Sequence, residues 1–166
     1  MKSIFRTGLF LTLLFTLFGC SDDKVEESNK NSNEQKVDSI FNSSDEKPPT
    51  LIMTIGDQVI KNQMGTYNWR FIDKKTGQLV NVVADHAPPY DMVNIEESTS
   101  VNLNEPIKLN FEKEPTNFEI RVWEDKKIIN TYETYEEIKE KGKYVIELLG
   151  TWEEGTGTYV FALDIQ

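Results

Sequence analysis

The chain has one cysteine, Cys20, and one histidine, His86. A single thiol cannot form an intramolecular disulfide, so a secreted domain of this sequence depends on a hydrophobic core. Zinc sites of the usual kind need several His or Cys ligands, which excludes them here. A Ser-His-Asp triad would need His86 as its base, yet no Gly-x-Ser-x-Gly turn is present to display a serine.

Positive charge is also scarce, because 18 Lys and Arg stand against 28 Asp and Glu, a net charge of −10. A chain this acidic repels phosphate, which excludes nucleic-acid binding. Adjacent carboxylates such as Glu153-Glu154 are plentiful, but neighbours along a strand point to opposite faces. They therefore predict a solvated surface rather than the acid–base pair of a glycosidase. We predict no enzymatic activity, no metal and no cofactor.

The N-terminus carries an uncharged apolar run, from Leu9 to Phe18, after the basic residues Lys2 and Arg6. A basic start followed by about 7–15 apolar residues is the pattern of a secretory signal. A spanning helix needs about 20 apolar residues, so an uncleaved membrane anchor is the alternative that this length disfavours. The run ends at Leu17-Phe18-Gly19-Cys20.

These four residues resemble the lipobox of bacterial lipoproteins. The resemblance implies that the sulfur of Cys20 takes a diacylglyceryl group and that residues 1–19 are removed as a signal peptide. Phe18 is bulkier than the residue usual at its position, which implies slower processing. Two acyl chains hold a protein stably on a bilayer. We therefore predict a mature chain with a charge of about −12, lipid-anchored on the outer face of the cell membrane.

The stretch from Ser21 to Lys47 consists mainly of Ser, Asn, Asp, Glu and Lys. Such a composition cannot bury enough apolar surface to offset the entropy of ordering. Residues 20–48 are therefore predicted to be the lipidated cysteine and a disordered tether, which would span roughly 30 Å on average. Residues 49–166 have the size of one domain.

Period-two alternation dominates residues 49–166 and predicts β-strands. The clearest pair spans residues 143–165, where a Gly-rich bend predicts a hairpin. Residues 132–142 could form two helical turns or a loop. Eight or nine short strands with regular turn signals predict an all-β fold with at most one short helix, an antiparallel sandwich or a barrel.

The stretch Glu140–Leu149 and the strand after it resemble the closing hairpin of immunoglobulin-like and fibronectin-like β-sandwiches. The resemblance implies that the hydroxyl of Tyr144 bonds back to the backbone as a tyrosine corner and that Trp69 is a core indole. The chain also resembles small Bacillales-like lipoproteins of Gram-positive bacteria. The residues that carry this second resemblance are Gly65-Thr66-Tyr67-Asn68-Trp69, Trp152, Gly157, Tyr159 and Phe161. It implies an all-β, immunoglobulin-like ectodomain and no established activity.

Four residues are candidates for contact with a partner. Trp123, beside Arg121, falls on the strand face opposite Ile120 and Val122, and an exposed tryptophan beside an arginine is typical of a partner patch. The alternative is that a second layer covers this face. His86 and Tyr90 lie in a loop that two prolines stiffen, although a lone loop histidine is usually only solvated.

A calcium ion between Asp85 and Asp91 of that loop is a weaker possibility, because the twelve-residue calcium-loop pattern is missing. The sequence predicts a membrane-tethered, extracytoplasmic β-sandwich that binds a protein, peptide or envelope component through the Trp123 face or a sheet edge. The alternative is an extracellular proteinase inhibitor of immunoglobulin-like type that inserts residues 85–91 into a protease. A small-ligand carrier fits less well, because large inward aromatics would fill its interior.

Overall fold

The computed structural model describes residues 46–102, 104–139 and 141–166. The predicted signal peptide, the predicted lipidation site Cys20 and nearly all of the predicted tether lie outside these residues. Among the residues described, no helix is both long enough and apolar enough to cross a bilayer.

The described residues are almost entirely β-strand, which confirms the predicted all-β class. In chain order the strands are β1 (Leu51–Ile55), β2 (Gln58–Ile60), β3 (Gln63–Ile72), β4 (Leu79–Ala84), β5 (Thr99–Val101), β6 (Ile107–Phe111), β7 (Asn117–Glu124), β8 (Lys127–Tyr132), β9 (Gly142–Trp152) and β10 (Gly155–Ile165). Ten strands in the described chain slightly exceed the eight or nine expected. One helical turn, α1 (Pro89–Met92), and two three-residue 3-10 turns complete this part of the chain. Residues 132–142, for which two helical turns and a loop were both open, contain the 3-10 turn Tyr135–Glu137.

The strands form two sheets that pack as a β-sandwich. The small sheet has the order β2-β1-β6, and the large sheet has the order β4-β3-β10-β9-β7-β8, with β5 joining β10 in parallel. The other pairings are antiparallel. The long hairpin is confirmed, since β9 and β10 pair without a break from Trp152 with Gly155 to Gly142 with Ile165.

Aromatic side chains join the two sheets. Phe111 at the end of β6 lies edge-on to Trp152, with ring centroids 5.8 Å apart, and to Tyr159, at 6.0 Å. Trp152 in turn meets Trp69 at 5.6 Å with the rings 76° apart. Edge-to-face contacts of this kind add to the apolar area that the aromatics bury. Trp69 is therefore a core indole, as predicted.

Two tyrosine hydroxyls bond to backbone carbonyls at the borders of the fold. Tyr144 donates to the carbonyl of Lys141 at 3.1 Å, which is the predicted corner bond just upstream of the tyrosine. Tyr159, 1% exposed, donates to the carbonyl of Pro49 and so fixes the start of the domain to β10. Burial, with a smaller contribution from the negative charge of Glu112, raises the pKa of the Tyr159 phenol.

The central strands of the large sheet bury side chains on both faces. On β9, Ile146 and Leu148 point into the core, and Val145 and Glu147 on the outer face are equally buried. The outer face is covered because the connection between β4 and β5 crosses it, with α1 in contact with β9 and β3. A second layer thus covers this face, which was the alternative to an exposed patch.

Candidate functional site

Three of the four predicted partner-binding residues come together on the outer face of the large sheet. Arg121, Trp123, Tyr90 and the buried Glu147 form what we call the outer-face cluster. Glu147 on β9 accepts a hydrogen bond from Trp123 Nε1 at 3.2 Å and from an Arg121 guanidinium nitrogen at 3.5 Å. Its carboxylate is thereby satisfied by two β7 side chains, as a buried charge requires.

The guanidinium of Arg121 is held by two carboxylates. Its Nε lies 2.6 Å from Glu119 Oε1, in addition to the longer contact with Glu147. Partial burial lowers the pKa of the Arg121 guanidinium. The hydrogen bond from Arg121 to Glu119 and the attraction of Glu147 raise this pKa by more, so the net effect is a raised pKa. Arg121 therefore stays cationic and is engaged within the protein rather than presented to a partner.

Tyr90, from α1, covers the indole of Trp123. The two ring centroids are 6.0 Å apart with the rings tilted by 55°, and Lys126 Nζ lies 5.0 Å from the centre of the Tyr90 ring. Trp123 is consequently half-buried. The arrangement packs a loop onto a sheet and stabilises it by ring contacts and a cation–π interaction.

His86 is exposed in the loop before α1. Its backbone N–H donates to Thr66 Oγ1 at 3.2 Å, which fixes the loop to β3. Among the described residues, no hydrogen bond, ion pair or ring contact joins its imidazole to the outer-face cluster. Asp85 and Asp91 are both exposed, and no group of three His, Cys, Asp or Glu side chains among the described residues is placed to hold a metal ion.

A second candidate site lies at one end of the sandwich, and we call it the sheet-end cleft. It is an open cleft of about 730 Å³ between the end of the β3–β4 hairpin, the segment entering β1, the segment leaving β6 and the β9–β10 turn. Trp69, Phe71 and Pro49 give it an apolar floor. Its rim carries charges of both signs, from Lys47, Arg70, Lys74, Glu112, Lys113, Glu153 and Glu154.

The charges on one side of this cleft are fixed by contacts within the protein. Lys113 and Glu154 form an ion pair, and the hydrogen bond from Lys113 lowers the pKa of the Glu154 carboxyl. Arg70 donates from its guanidinium to the carbonyl of Glu153 at 3.1 Å. Glu154 also has one enclosed oxygen, Oε2, without a hydrogen-bond partner in the described structure.

The electrostatics of Glu154 do not suit the role of a general acid. A glycosidase-type general acid needs a raised pKa, whereas the pKa of Glu154 is lowered and its carboxylate stays charged. An apolar floor with a few fixed charges is the usual construction of a ligand site. Sequence reasoning placed Trp69 in the core and did not identify the cleft, because the exposure of Ile72 and Leu79 at the hairpin end is visible only in the structure.

Comparison of the chain with protein families, with curated proteins and with solved structures finds no match. The function therefore has to be argued from the residues and geometry of the chain itself.

Proposed function

We propose that the protein is a lipid-anchored, extracytoplasmic binding module, and that it binds a protein, peptide or envelope component in the sheet-end cleft. The observation that carries this proposal is the cleft itself, whose volume of about 730 Å³ lies within the range of ligand sites. Its apolar floor supplies contact area, while Arg70 and the Lys113–Glu154 pair supply fixed polar groups that orient a bound molecule.

The anchor is supported by the lipobox-like sequence that ends at Cys20. Lys47 and Pro49, near the start of the described chain, line the cleft, so a tether from Cys20 would reach the domain beside its binding site. Lipidation would confine the domain to the membrane surface and raise its effective concentration toward membrane-bound partners.

The cleft is tested by placing a photo-crosslinking amino acid at Lys47, which is exposed and lines the cleft. Lys108, exposed on β6 and outside the cleft, is the matched control. In intact cells we expect a discrete crosslinked product from position 47 and none from position 108. Equal products from both positions, or none from position 47, would remove the cleft as the binding site.

The anchor is tested by the intact mass of the native protein. We expect the loss of residues 1–19 and the added mass of a diacylglyceryl group, with Cys20→Ala leaving an uncut chain without lipid. Native material that retains Met1, or that starts with an unmodified Cys20, would contradict the anchor without affecting the test of the cleft.

The proteinase-inhibitor alternative is less well supported by the loop at residues 85–91. An inhibitory loop has to project so that it enters a protease cleft, whereas Pro89–Met92 forms a helical turn and Tyr90 packs on Trp123. Assays of the purified protein against secreted serine proteases test this alternative, and we expect no inhibition at micromolar concentrations.

The small-ligand carrier also finds less support, because aromatics such as Phe111 and Tyr159 fill the space between the sheets.

A further inference from the structure

We propose that β4 is a self-association edge, at which two copies of the chain pair antiparallel about a two-fold axis midway between their Asn81 residues. The large sheets of the two copies would then continue into each other. This inference concerns the edge of β4, which adjoins the sheet-end cleft at Ile72 and Leu79, and it does not depend on the lipid anchor.

The first observation is that β4 lacks the features that usually protect a sheet edge. In the described structure β4 pairs only with β3, so its other side is open. Exposed edges are normally kept short, or carry lysine, proline or a bulge. Residues 78–84, Gln-Leu-Val-Asn-Val-Val-Ala, include no charge and no proline, and β4 pairs with β3 without a register shift.

The other edges of the described sheets do carry such protection. The β8 edge begins with Lys127 and contains a register shift opposite Val122 and Trp123. The β6 edge has Lys108 at its second residue, and β2 and β5 are only three residues long. The lack of protection at β4 is therefore specific to that strand.

The second observation is the exposure of apolar side chains around this edge. Leu79, Val83 and Ile72 are 66%, 60% and 56% exposed, the highest values among the large hydrophobic residues described. Leu79 and Val83 lie on the outward face of β4, and Ile72 is the β3 neighbour of Leu79. Apolar residues grouped in this way mark an interaction surface.

The third observation concerns which backbone groups β4 leaves open. The backbone N–H of Asp73 donates to the carbonyl of Gln78 at the end of the β3–β4 ladder. Because hydrogen-bonded and non-bonded pairs alternate in an antiparallel ladder, Val80 and Val82 then bond to β3. The N–H and C=O groups of Leu79, Asn81 and Val83 therefore point to the open edge.

These groups fix the register of the self-pairing. A two-fold axis midway between the two Asn81 residues sets Leu79 opposite Val83 of the second copy and Asn81 opposite its own equivalent. All three residues then form hydrogen-bonded pairs, which gives about six backbone hydrogen bonds. The same register puts the exposed Leu79 and Val83 side by side on one face, and cross-strand apolar pairs of this kind stabilise sheets.

Charge also favours a second copy of this chain as the occupant. Although the chain is acidic overall, the paired residues carry no charge, so no like charges face each other across the edge. Beyond the strand, Lys75 in the β3–β4 turn of one copy would approach Asp85, which follows β4 in the other. A single six-residue strand edge buries less surface than a standard interface, which buries about 1,600 Å². We therefore expect a weak dimer.

The test uses Asn81→Cys in the full chain with Cys20→Ala, so that the new cysteine is the only thiol. In the proposed dimer the Cα atoms of position 81 in the two copies lie about 5.5 Å apart, within the range of a disulfide. The matched control is Asn68→Cys, an exposed asparagine on β3 whose copies would lie about 20 Å apart. Under mild oxidation we expect disulfide dimer from N81C at least ~10-fold faster than from N68C.

The register is tested separately by Leu79→Cys and Val83→Cys. Each variant alone would place its two thiols about 14 Å apart, too far to bond, while a mixture of the two brings unlike thiols together. We expect a disulfide heterodimer in the mixture and little product from either variant alone. The proposal would be overturned if N81C and N68C formed disulfide dimers at equal rates, or if all of these variants gave equal amounts of product. It would also be overturned if N81C formed its disulfide with a different protein.

Discussion

Replacing Tyr159 by phenylalanine tests how the start of the domain is held. The phenol is buried against the core, and its hydroxyl donates to the carbonyl of Pro49. The phenylalanine ring fills nearly the same space but leaves that carbonyl unpaired. At pH 8 we expect Tyr159→Phe to lower the free energy of unfolding by about 1–2 kcal/mol, the usual cost of an unmade buried hydrogen bond.

The pH dependence of this difference follows from the raised pKa of Tyr159. In the folded protein burial keeps the phenol neutral, whereas in the unfolded chain it ionises near pH 10. The stabilisation is therefore complete below pH 10 and is lost as the pH rises above it, because only the unfolded state releases the proton. At pH 11 the wild-type protein would have lost about 1.4 kcal/mol through this group.

The variant lacks this ionisation, so its stability changes less with pH above pH 10. We expect the stability advantage of the wild-type protein at pH 8 to shrink to nearly zero by pH 11. Urea denaturation followed by tryptophan fluorescence at pH 8, 10 and 11 measures both curves. A difference between the two proteins that stays constant over this range would refute the assignment of Tyr159 as a buried neutral phenol.

Two further changes test other contacts. Gly155→Ala is expected to lower the free energy of unfolding by roughly 3 kcal/mol or more, because φ is +153° and the added Cβ would lie 1.9 Å from the carbonyl oxygen of Asn68. Gly77→Ala, at φ +69° in open space, should lower it by about 1–2 kcal/mol. Equal losses for the two variants in urea denaturation would contradict the steric argument. In the outer-face cluster, a double-mutant cycle of Glu147→Leu with Trp123→Phe, measured by urea denaturation, should give a coupling energy of about 1.5 kcal/mol or more. A coupling energy near zero would show that the hydrogen bond between Glu147 and Trp123 does not stabilise the fold.

The β-sandwich was predictable because its strongest signals are local. Alternation along β9 and β10 is long enough to specify both strands, and the bend between them carries glycine. The β7–β8 hairpin gave a weaker signal. Its two-residue turn has both residues at positive φ, but they are Asp125 and Lys126 rather than the Asn-Gly or Asp-Gly pair typical of such turns.

The environment of Trp123 could not be predicted, since it depends on a contact distant in sequence. Strand alternation correctly placed Trp123 on the face opposite Val122. Whether that face is open depends on where the β4–β5 connection runs, and Tyr90 covers it only because the chain crosses the sheet there. The burial of Glu147, an outward residue by strand alternation, follows from the same crossing.

The sheet-end cleft and the β4 edge were missed for a related reason. Residues 79–84 are apolar except for Asn81 and show no regular alternation of apolar and polar residues. Strand order is not a local property, so the sequence does not indicate that this strand lies at an edge. Once the order is known, the exposed Leu79 and Val83 become informative, because an uncharged apolar edge is an exception to the way that natural sheets are protected.

The two proposed surfaces share Ile72 and Leu79, and they are separable by experiment because Val83 does not line the cleft. Leu79 lines the cleft and also lies in the proposed β4 pairing, whereas Val83 lies in the pairing alone. A charge at an apolar sheet contact opposes pairing, so Leu79→Lys and Val83→Lys should both suppress the N81C disulfide. Only Leu79→Lys should also reduce crosslinking from position 47, since it adds a charge at the cleft. If Val83→Lys reduced that crosslinking equally, binding in the cleft would require the dimer, and the two surfaces would act as one site.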